Sequence, residues 1–599
     1  MNDASRWRIA VARRVEACYR QDSRVRAFMI GGSASRGIAD RYSDLEIGVF
    51  WATTPSPDER QAFLTEYGAV MEQMVVDSSW EHLIGTDSVA ISGFHVEVNH
   101  MLVDVIDAFL ADPVKRIAHP FLGLAFLHAR ALYGERLVEH WRSLCREFPA
   151  EATAGAVRAA MTSPDSWRLW SLYATHGDLP ALTLHLVYAQ DRLLKAFAAL
   201  NGDYYGLQER WYALGIAGWT VRPDRLAERL RGVFRLGPAD AVHAMRALMY
   251  ESFDLIEAHV GPLAEGRASF ETPPAWAVKH ARNAADHERI QSALSQLANA
   301  YDRLAGVECV ARFNHGTGRR HDYHAPVELH VFWTREPSEA ERLDPLRGEG
   351  AVIGEPISIE PVSVENGRHV ARDACEIDGL QYAQVVHHTV ESVEAALATV
   401  IDTTDYNHST DAARQDMLAV LGQLRPMAGA PLLREWRSRC ATMPGRVVER
   451  QVAWWLDYLR PQLIVEKYAA RDEWLVFYVN LAWKSLELCE TLRGLNGVYQ
   501  PWRHGEDAPN WWVRWRHGSL AARLDIAPRD FAARLRALYR MDLPDALREF
   551  RRLMAETADL VEIEVAGVDV DAFRRSLEGA LAAWDHPPVG ASPAETCAR

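Results

Sequence analysis

The sequence predicts an α+β protein built as two tandem modules, each a small mixed sheet followed by an all-helical domain. Three observations predict it. The chain matches itself at a spacing of about 300 residues. Each half opens with short apolar runs bounded by Gly, Pro and polar clusters, the pattern of strands. Each half then continues in long stretches of helical periodicity.

The self-match is specific. Residues 134–149 and 429–444 are identical at seven of sixteen positions, including Trp141/Trp436, Arg142/Arg437, Cys145/Cys440 and Pro149/Pro444. The same offset of 295 aligns Leu200-Asn201-Gly202-x-Tyr204 with Leu495-Asn496-Gly497-x-Tyr499, and Tyr173-Ala174 with Tyr468-Ala469. Further on, 230–257 matches 535–562 at twelve of twenty-eight positions, where chance gives about two. The period is too long for a solenoid and fits a duplicated two-domain unit.

Taken in order, residues 4–20 carry helical periodicity. Val25–Ile30 is a short apolar run that Gly31-Gly32-Ser33 ends, and Leu45–Trp51 reads as a second strand. Residues 56–73, opened by Ser56-Pro57-Asp58-Glu59, read as a capped helix. Residues 94–103 alternate as a third strand; from 104 to about 262 the pattern is helical, most strongly at 180–200 and 238–260. The second half repeats the order: a helix near 287–305, strands near 307–313, 327–333 and 380–387, and helices from about 391. The expected domains are 1–112 (sheet), 113–262 (helical), 263–285 (linker rich in Gly and Pro), 286–400 (sheet), 401–581 (helical) and a disordered tail, 582–599.

Composition narrows the function. The 599 residues are 48% apolar and 25% charged, ordinary for a folded chain. A net charge of −15 argues against a dedicated nucleic-acid binder. Only five of the 66 basic residues are lysines, which reads as an Arg-rich composition rather than phosphate recognition throughout. Seven scattered cysteines without a CxxC pair support neither a zinc ribbon nor a disulfide framework. No apolar run reaches the ~18–20 residues that span a bilayer, and the N-terminus lacks a signal-peptide core. The expectation is a cytoplasmic protein with no membrane partner.

The informative segment runs from Gly31 to Glu46, GGSASRGIADRYSDLE. A strand ends in Gly-Gly-Ser, and eleven residues after Ser33 two acids, Asp44 and Glu46, follow at i, i+2 on a strand. That spacing puts them on one face. Like charges side by side cost stability unless a cation neutralises them. A Gly-Gly-Ser loop lets backbone N–H groups approach phosphate, and a helix starting there adds the positive end of its dipole.

This pattern resembles the nucleotidyltransferases of the DNA-polymerase-β type, most closely the small antibiotic nucleotidyltransferases with their Gly-Ser … Ser-Asp-x-Asp/Glu motif. The resemblance covers roughly residues 1–112. It implies that Asp44, Glu46 and Glu97 hold Mg²⁺, Glu97 being a metal ligand or the base for the acceptor hydroxyl. It further implies that Gly32 and Ser33 bind the phosphates of an NTP, with ATP the expected one, and Arg36 and Lys195 are the expected additional phosphate contacts. The implied reaction moves an NMP to an acceptor hydroxyl and releases pyrophosphate. The acceptor is expected to be a small molecule of aminoglycoside-like charge, because an acidic protein draws cationic substrates. The competing readings are a protein- or RNA-modifying regulator and a nucleotide-binding sensor without turnover.

The duplication is an internal control: shared residues read as architecture, residues of one copy as chemistry. Aligning Val49-Phe50-Trp51 with Val331-Phe332-Trp333 sets Pro326 opposite Asp44 and Glu328 opposite Glu46. Aligning Gly93 with Gly379 sets Ala383 opposite Glu97, and Gly32-Ser33 becomes His315-Gly316. The second copy is therefore expected to be a degenerate, non-catalytic module. Weaker candidates are Asp104 and Asp107, which read better as acids of a helix's first turn, and Arg41, equally consistent with solvated surface. Arg192 and Lys195, i, i+3 on one expected helix face, align with Glu487 and Glu490 of the other copy, which fits a triphosphate contact but fits surface drift better. His321, His324 and His330 could suggest a metal, but the i, i+3 pair His321 and His324 spans an expected loop, and a metal there is not expected.

Overall fold

Two six-stranded sheets repeat one strand order. The structure, a computed structural model, describes residues 1–66, 70–75, 84–91, 94–146, 148, 150–205, 216–272, 284–313, 327–347, 358–363, 370–377, 381–403, 407–459, 463–499 and 524–582. In the N-terminal half, β1 (Val25–Ile30), β2 (Leu45–Trp51), β3 (Val70–Val75), β4 (Gly85–Ile91), β5 (Phe94–Leu102) and β6 (Arg130–Tyr133) pair in the order β3-β4-β5-β2-β1-β6. In the C-terminal half, β7 (Val307–Phe313), β8 (Val327–Trp333), β9 (Ser358–Ser363), β10 (Val370–Ile377), β11 (Gln381–Thr389) and β12 (Leu424–Ala428) pair as β12-β7-β8-β11-β10-β9, the same order read from the opposite edge. The β2–β5 and β8–β11 pairs are parallel and the other pairs antiparallel, so both sheets are mixed.

The central strands of the first sheet serve two layers. Phe28, Ile30, Ile47, Val49 and Trp51 pack under helix α1 (Asp3–Tyr19) through Ile9, Ala12, Val15 and Tyr19. Ala27, Met29, Phe50 and Met101, on the other face, meet Ile106, Phe126 and Trp141 of the helices that follow. The chain between β1 and β2 makes one helical turn, α2 (Gly32–Ser35). Helix α3 (Pro57–Glu66) begins with a capping box: Ser56 N–H donates to Glu59 at 2.7 Å, and Glu59 N–H donates to Ser56 Oγ at 3.2 Å.

The expected 56–73 helix stops at Glu66, and the chain resumes as β3 from Val70. Pairing with β4 overrides the helical preference of Met, Glu and Gln in Val70–Val75. Strand β4 was hidden for another reason: its inward residues are Gly85, Asp87, Val89 and Ile91, so a buried carboxylate interrupts the apolar alternation. Strands β6 and β12 lie beyond the expected sheet boundaries at 112 and 400, as short edge strands inside stretches of helical pattern.

The helical parts of the two halves share one apolar core. Helices Leu179–Leu200 and Trp474–Leu495, twenty-two residues each and offset by 295, pack against one another. In this core Trp170, Phe197 and Phe253 of the first half join Phe477, Leu481 and Leu553 of the second. Each helix ends at the same Asn stitch. Asn201 Nδ2 donates to the carbonyls of Phe197 (2.7 Å) and Val221 (2.9 Å), and Asn496 Nδ2 to those of Leu492 (2.7 Å) and Ile526 (2.8 Å). Phe270, on helix Ala264–Glu271 inside the expected linker, is fully buried in this core. Among the described residues no helix is long and apolar enough to cross a membrane. The expected tail from 583 onward lies outside the described residues.

Candidate functional site

The acids converge because of strand register. In the parallel β2–β5 pair Glu46 stands directly beside Glu97. Both lie on the face that carries Phe50 and Met101 into the helical layer, but nearer the strand beginnings. Asp44 precedes Glu46 by two residues, at the mouth of the β1–β2 connection. Glu97 is oriented by a relay: Asn99 Nδ2 donates to its Oε1 at 2.9 Å, and Thr86 Oγ1 donates to Asn99 Oδ1 at 2.8 Å.

The loop closes over this face at Gly32. Gly31 N–H donates to the Glu46 carbonyl at 3.0 Å, which zips the loop onto β2. Gly32 has φ +59°, and a Cβ there would sit 2.6 Å from Glu46 Oε2. Only glycine meets both conditions. Helix α2 is four residues long, with Arg36 as its C-cap, so the expected helix-dipole contribution is small. What Gly32 and Ser33 present is a turn of backbone next to a carboxylate.

Glu46 is open to solvent yet closely ringed by protein. The opening lets a ligand reach it, while the surrounding protein sets its proton affinity. That crowding, together with the charges of Asp44 and Glu97, pushes its carboxyl up to about 7, against the opposing pull of Lys467. Three oxygen-donor carboxylates on one face suit a hard cation. Among the described residues no three His, Cys, Asp or Glu side chains converge tightly enough to cage a metal alone. Mg²⁺ does not require such a cage, because one or two carboxylates, waters and substrate phosphates complete its shell.

The loop is pinned from two sides. From α1, buried Arg8 donates Nε to the Ser43 carbonyl at 2.9 Å and Nη2 to the Asp40 carbonyl at 2.9 Å. Burial lowers the Arg8 pKa to about 10, although Asp40 and Asp44 favour its charge. From the C-terminal half, Arg471 donates Nε and Nη2 to the two oxygens of Asp40, at 2.8 and 2.7 Å. Sequence reasoning missed Arg8, Asp40 and Arg471. Arg8 could have been found as a charge on the apolar side of a helical pattern, whereas Asp40 and Arg471 lie in polar stretches with no local signal.

The other expected contacts lie elsewhere. Lys195 is exposed and pairs with Asp191 one turn earlier at 2.7 Å. Arg192 Nη1 donates to the Ala160 carbonyl at 3.0 Å. Arg36, lowered to about 10 by burial, has Asp203 as its neighbouring charge. Arg41 Nη2 donates to Glu466 Oε1 at 3.1 Å. Asp107 accepts from the Trp141 indole at 2.6 Å, and Asp104 sits in the first turn of helix Val103–Ala111, as its architectural reading requires.

The corresponding face of the second sheet differs. Register places Gln384 beside Glu328, so Gln384 and not Ala383 occupies the position of Glu97. The sequence alignment slipped by one residue, and in a strand one residue changes the face. Ala383 points into the opposite core layer. Glu328 is 2% exposed, with His330 Nε2 3.6 Å away. His330 in turn stacks on His388, with 2.9 Å between Nδ1 and Nε2. His330 takes the place of Gly48, so a ring fills what the first sheet leaves to glycine. Pro326, His315, Gly316, His321 and His324 lie outside the described residues.

Compared with known protein families and with curated proteins, the chain matches no family model and no curated sequence.

Proposed function

We propose that the protein is a nucleotidyltransferase whose active site lies on the first sheet, and that the chain arose by duplication of one sheet-plus-helices module whose second copy is non-catalytic. The observation that carries this reading is the register pairing of Glu46 with Glu97, with Asp44 two residues away, under a glycine loop that only glycine fits. Unneutralised, such a cluster is costly: desolvation by the surrounding protein first, then the charges of Asp44 and Glu97, raise the Glu46 carboxyl. A Mg²⁺–triphosphate relieves it.

Asp44, Glu46 and Glu97 would hold Mg²⁺, which supplies Lewis acidity at the phosphoryl group and neutralises charge on the leaving pyrophosphate. The chain's own groups do the rest. The backbone at Gly32 and Ser33 orients the phosphates. The acceptor hydroxyl oxygen forms a bond to the α-phosphorus, and the bond from that phosphorus to the bridging oxygen of pyrophosphate breaks. The hydroxyl proton passes to a carboxylate, with Glu97 placed to take it if it is not itself committed to the cation. Net acidity supports a cationic small-molecule acceptor of aminoglycoside type.

The test is calorimetry with a non-hydrolysable NTP, together with pyrophosphate release on a panel of small-molecule, peptide and RNA acceptors. One Mg²⁺-dependent site and release with cationic small molecules are expected. Release only with protein or RNA would replace the acceptor class. Binding without turnover on any acceptor would leave a sensor, and no binding would remove the reading.

A further inference from the structure

A segment of the C-terminal half is built onto the N-terminal carboxylates. Helix Leu463–Ala470 carries Glu466, which is 7% exposed and accepts from Arg41 Nη2 and from the Tyr42 hydroxyl, each at 3.1 Å. Its other oxygen accepts from Arg551 at 2.5 Å. Directly after this helix, Arg471 grips Asp40 through both carboxylate oxygens and reaches Ser43 Oγ at 3.1 Å. The Arg471 side chain is only 6% exposed. Residues 40–43, which lead into Asp44, are therefore held by the other half of the chain.

Lys467 lies between those two anchors and is half-buried. Its charge acts on Glu46, and that of Asp44 acts on the neighbouring Tyr468. Among the described residues no carboxylate oxygen lies within 4.0 Å of its ammonium. A cation held beside a carboxylate cluster, but not consumed in an ion pair, stays available to an anionic ligand.

The internal repeat gives an independent argument. At the offset of 295, the buried Tyr468-Ala469 matches Tyr173-Ala174, while Glu466, Lys467 and Arg471 match Ser171, Leu172 and His176. The scaffold residues are shared. Lys467 and Arg471 have no charged counterpart of the same kind in the N-terminal copy, while Asp44 and Glu97, on either side of Glu46, have no carboxylate counterpart in the C-terminal copy. The two asymmetries meet at one site.

We propose that the candidate site is composite: Lys467, supplied by the C-terminal half, binds the phosphate chain of the nucleotide, and the Arg471–Asp40 latch fixes its distance from Asp44, Glu46 and Glu97. The proposal rests on the nucleotidyltransferase reading. It assigns to Lys467 the phosphate contact that sequence reasoning gave to Lys195, and it gives the C-terminal half a direct part in the site it otherwise only scaffolds.

Full-length wild type, Lys467→Met, Lys467→Arg and Lys195→Met are compared by calorimetry with Mg²⁺ and a non-hydrolysable ATP analogue, and with adenosine. Met retains the unbranched stem without the charge. Lys467→Met should weaken the triphosphate at least tenfold, about 1.4 kcal/mol, leave adenosine within twofold, and keep the thermal midpoint. Lys467→Arg should recover most of the affinity, and Lys195→Met should change nothing. If Lys467→Met unfolds early, Lys467→Gln is measured in its place. Wild-type triphosphate affinity in the charge-removed variant overturns the inference while the nucleotidyltransferase reading stands. Absence of Mg²⁺-dependent binding in the wild type overturns the reading itself.

Discussion

The two sheets share everything that a fold requires and differ where a ligand would sit. Both bury a four-residue chain beneath the parallel pair. The Trp51 indole donates to His100 Nδ1 at 3.1 Å, His100 Nε2 meets Asp87 at 2.9 Å, and Asp87 meets Arg60 at 3.3 Å. In the second sheet Trp333, His387, Asp373 and Arg342 repeat this at 3.2, 3.0 and 3.3 Å. An indole only donates, so Nδ1 accepts in both, and Nε2 carries the proton toward the aspartate. The opposite face has Glu46 beside Glu97 in one sheet and Glu328 beside Gln384 in the other. A buried network of paired charges recurs in both sheets because removing any member strands the rest. Glu46 is exposed and Glu97 half-buried, so neither has that protection, and the proposed cation would give their pairing in one sheet a cause.

The sharpest way to break this comparison is to remove a charge from the first sheet. Asp44→Asn should lower turnover by about a thousandfold or more, the scale on which loss of a transition-state electrostatic contact acts. The thermal midpoint should hold or rise, since the substitution eases repulsion around Glu46. Wild-type pyrophosphate release from the purified variant would end the metal proposal.

The next largest effect tests what the sheets share. Asp87→Asn and Asp373→Asn each leave a buried Arg and His without their carboxylate. Each should cost about 3–5 kcal/mol, measured as a shift of the denaturant midpoint, and the two should agree within about 1 kcal/mol. A large cost in one sheet and none in the other would mean that the networks are not equivalent.

A smaller effect separates the sheets by pH. Glu46 titrates near 7 in the fold, against about 4.3 in an unfolded chain. The folded state therefore binds more protons between those values, and metal-free stability contributed by this group falls as pH rises from about 4.5 through 7. Glu46 is open to water, so the effect is screened, about 1–3 °C in the midpoint. Without metal, Glu46→Gln should melt above wild type at pH 8 and level with it near pH 5. Mg²⁺ should bind more tightly as pH rises through 7, since it displaces that proton. A wild-type midpoint that rises from pH 5 to 8 relative to Glu46→Gln would contradict the sign.

Much of the fold was legible because the chain repeats itself, and the repeated residues are those that pack it. The LNG segments became the Asn201 and Asn496 stitches, and Gly134 and Gly429 pack so tightly that a Cβ would lie 2.3 Å from the Arg26 carbonyl in one half and 2.0 Å from that of Glu308 in the other. The three carboxylates were legible because spacing along a strand fixes a face. Other features were not. Asp87 and Asp373 are buried charges that disguise the strands they stabilise. Register escaped alignment by one residue at Gln384. The contribution of Lys467 and Arg471 depends on how residues more than 400 positions apart meet, as Arg471 and Asp40 do, and no local pattern encodes that.

The finest test addresses the second sheet itself. Glu328 is its remaining carboxylate at the equivalent position, 2% exposed, with His330 at 3.6 Å and Gln384 beside it. If that face held a nucleotide, Glu328 would be its only charged anchor from these paired strands. Gln is nearly isosteric, so Glu328→Gln removes the charge without opening a cavity. Turnover should stay within about a factor of three, the range of ordinary structural adjustments around an active site. Stability should change by less than about 1 kcal/mol, because the near-isosteric amide keeps the packing of this buried side chain. Steady-state pyrophosphate release and a denaturant titration on the same preparation read both. A collapse of turnover like that of Asp44→Asn, at an unchanged midpoint, would place chemistry on the second sheet and undo the asymmetry between the halves.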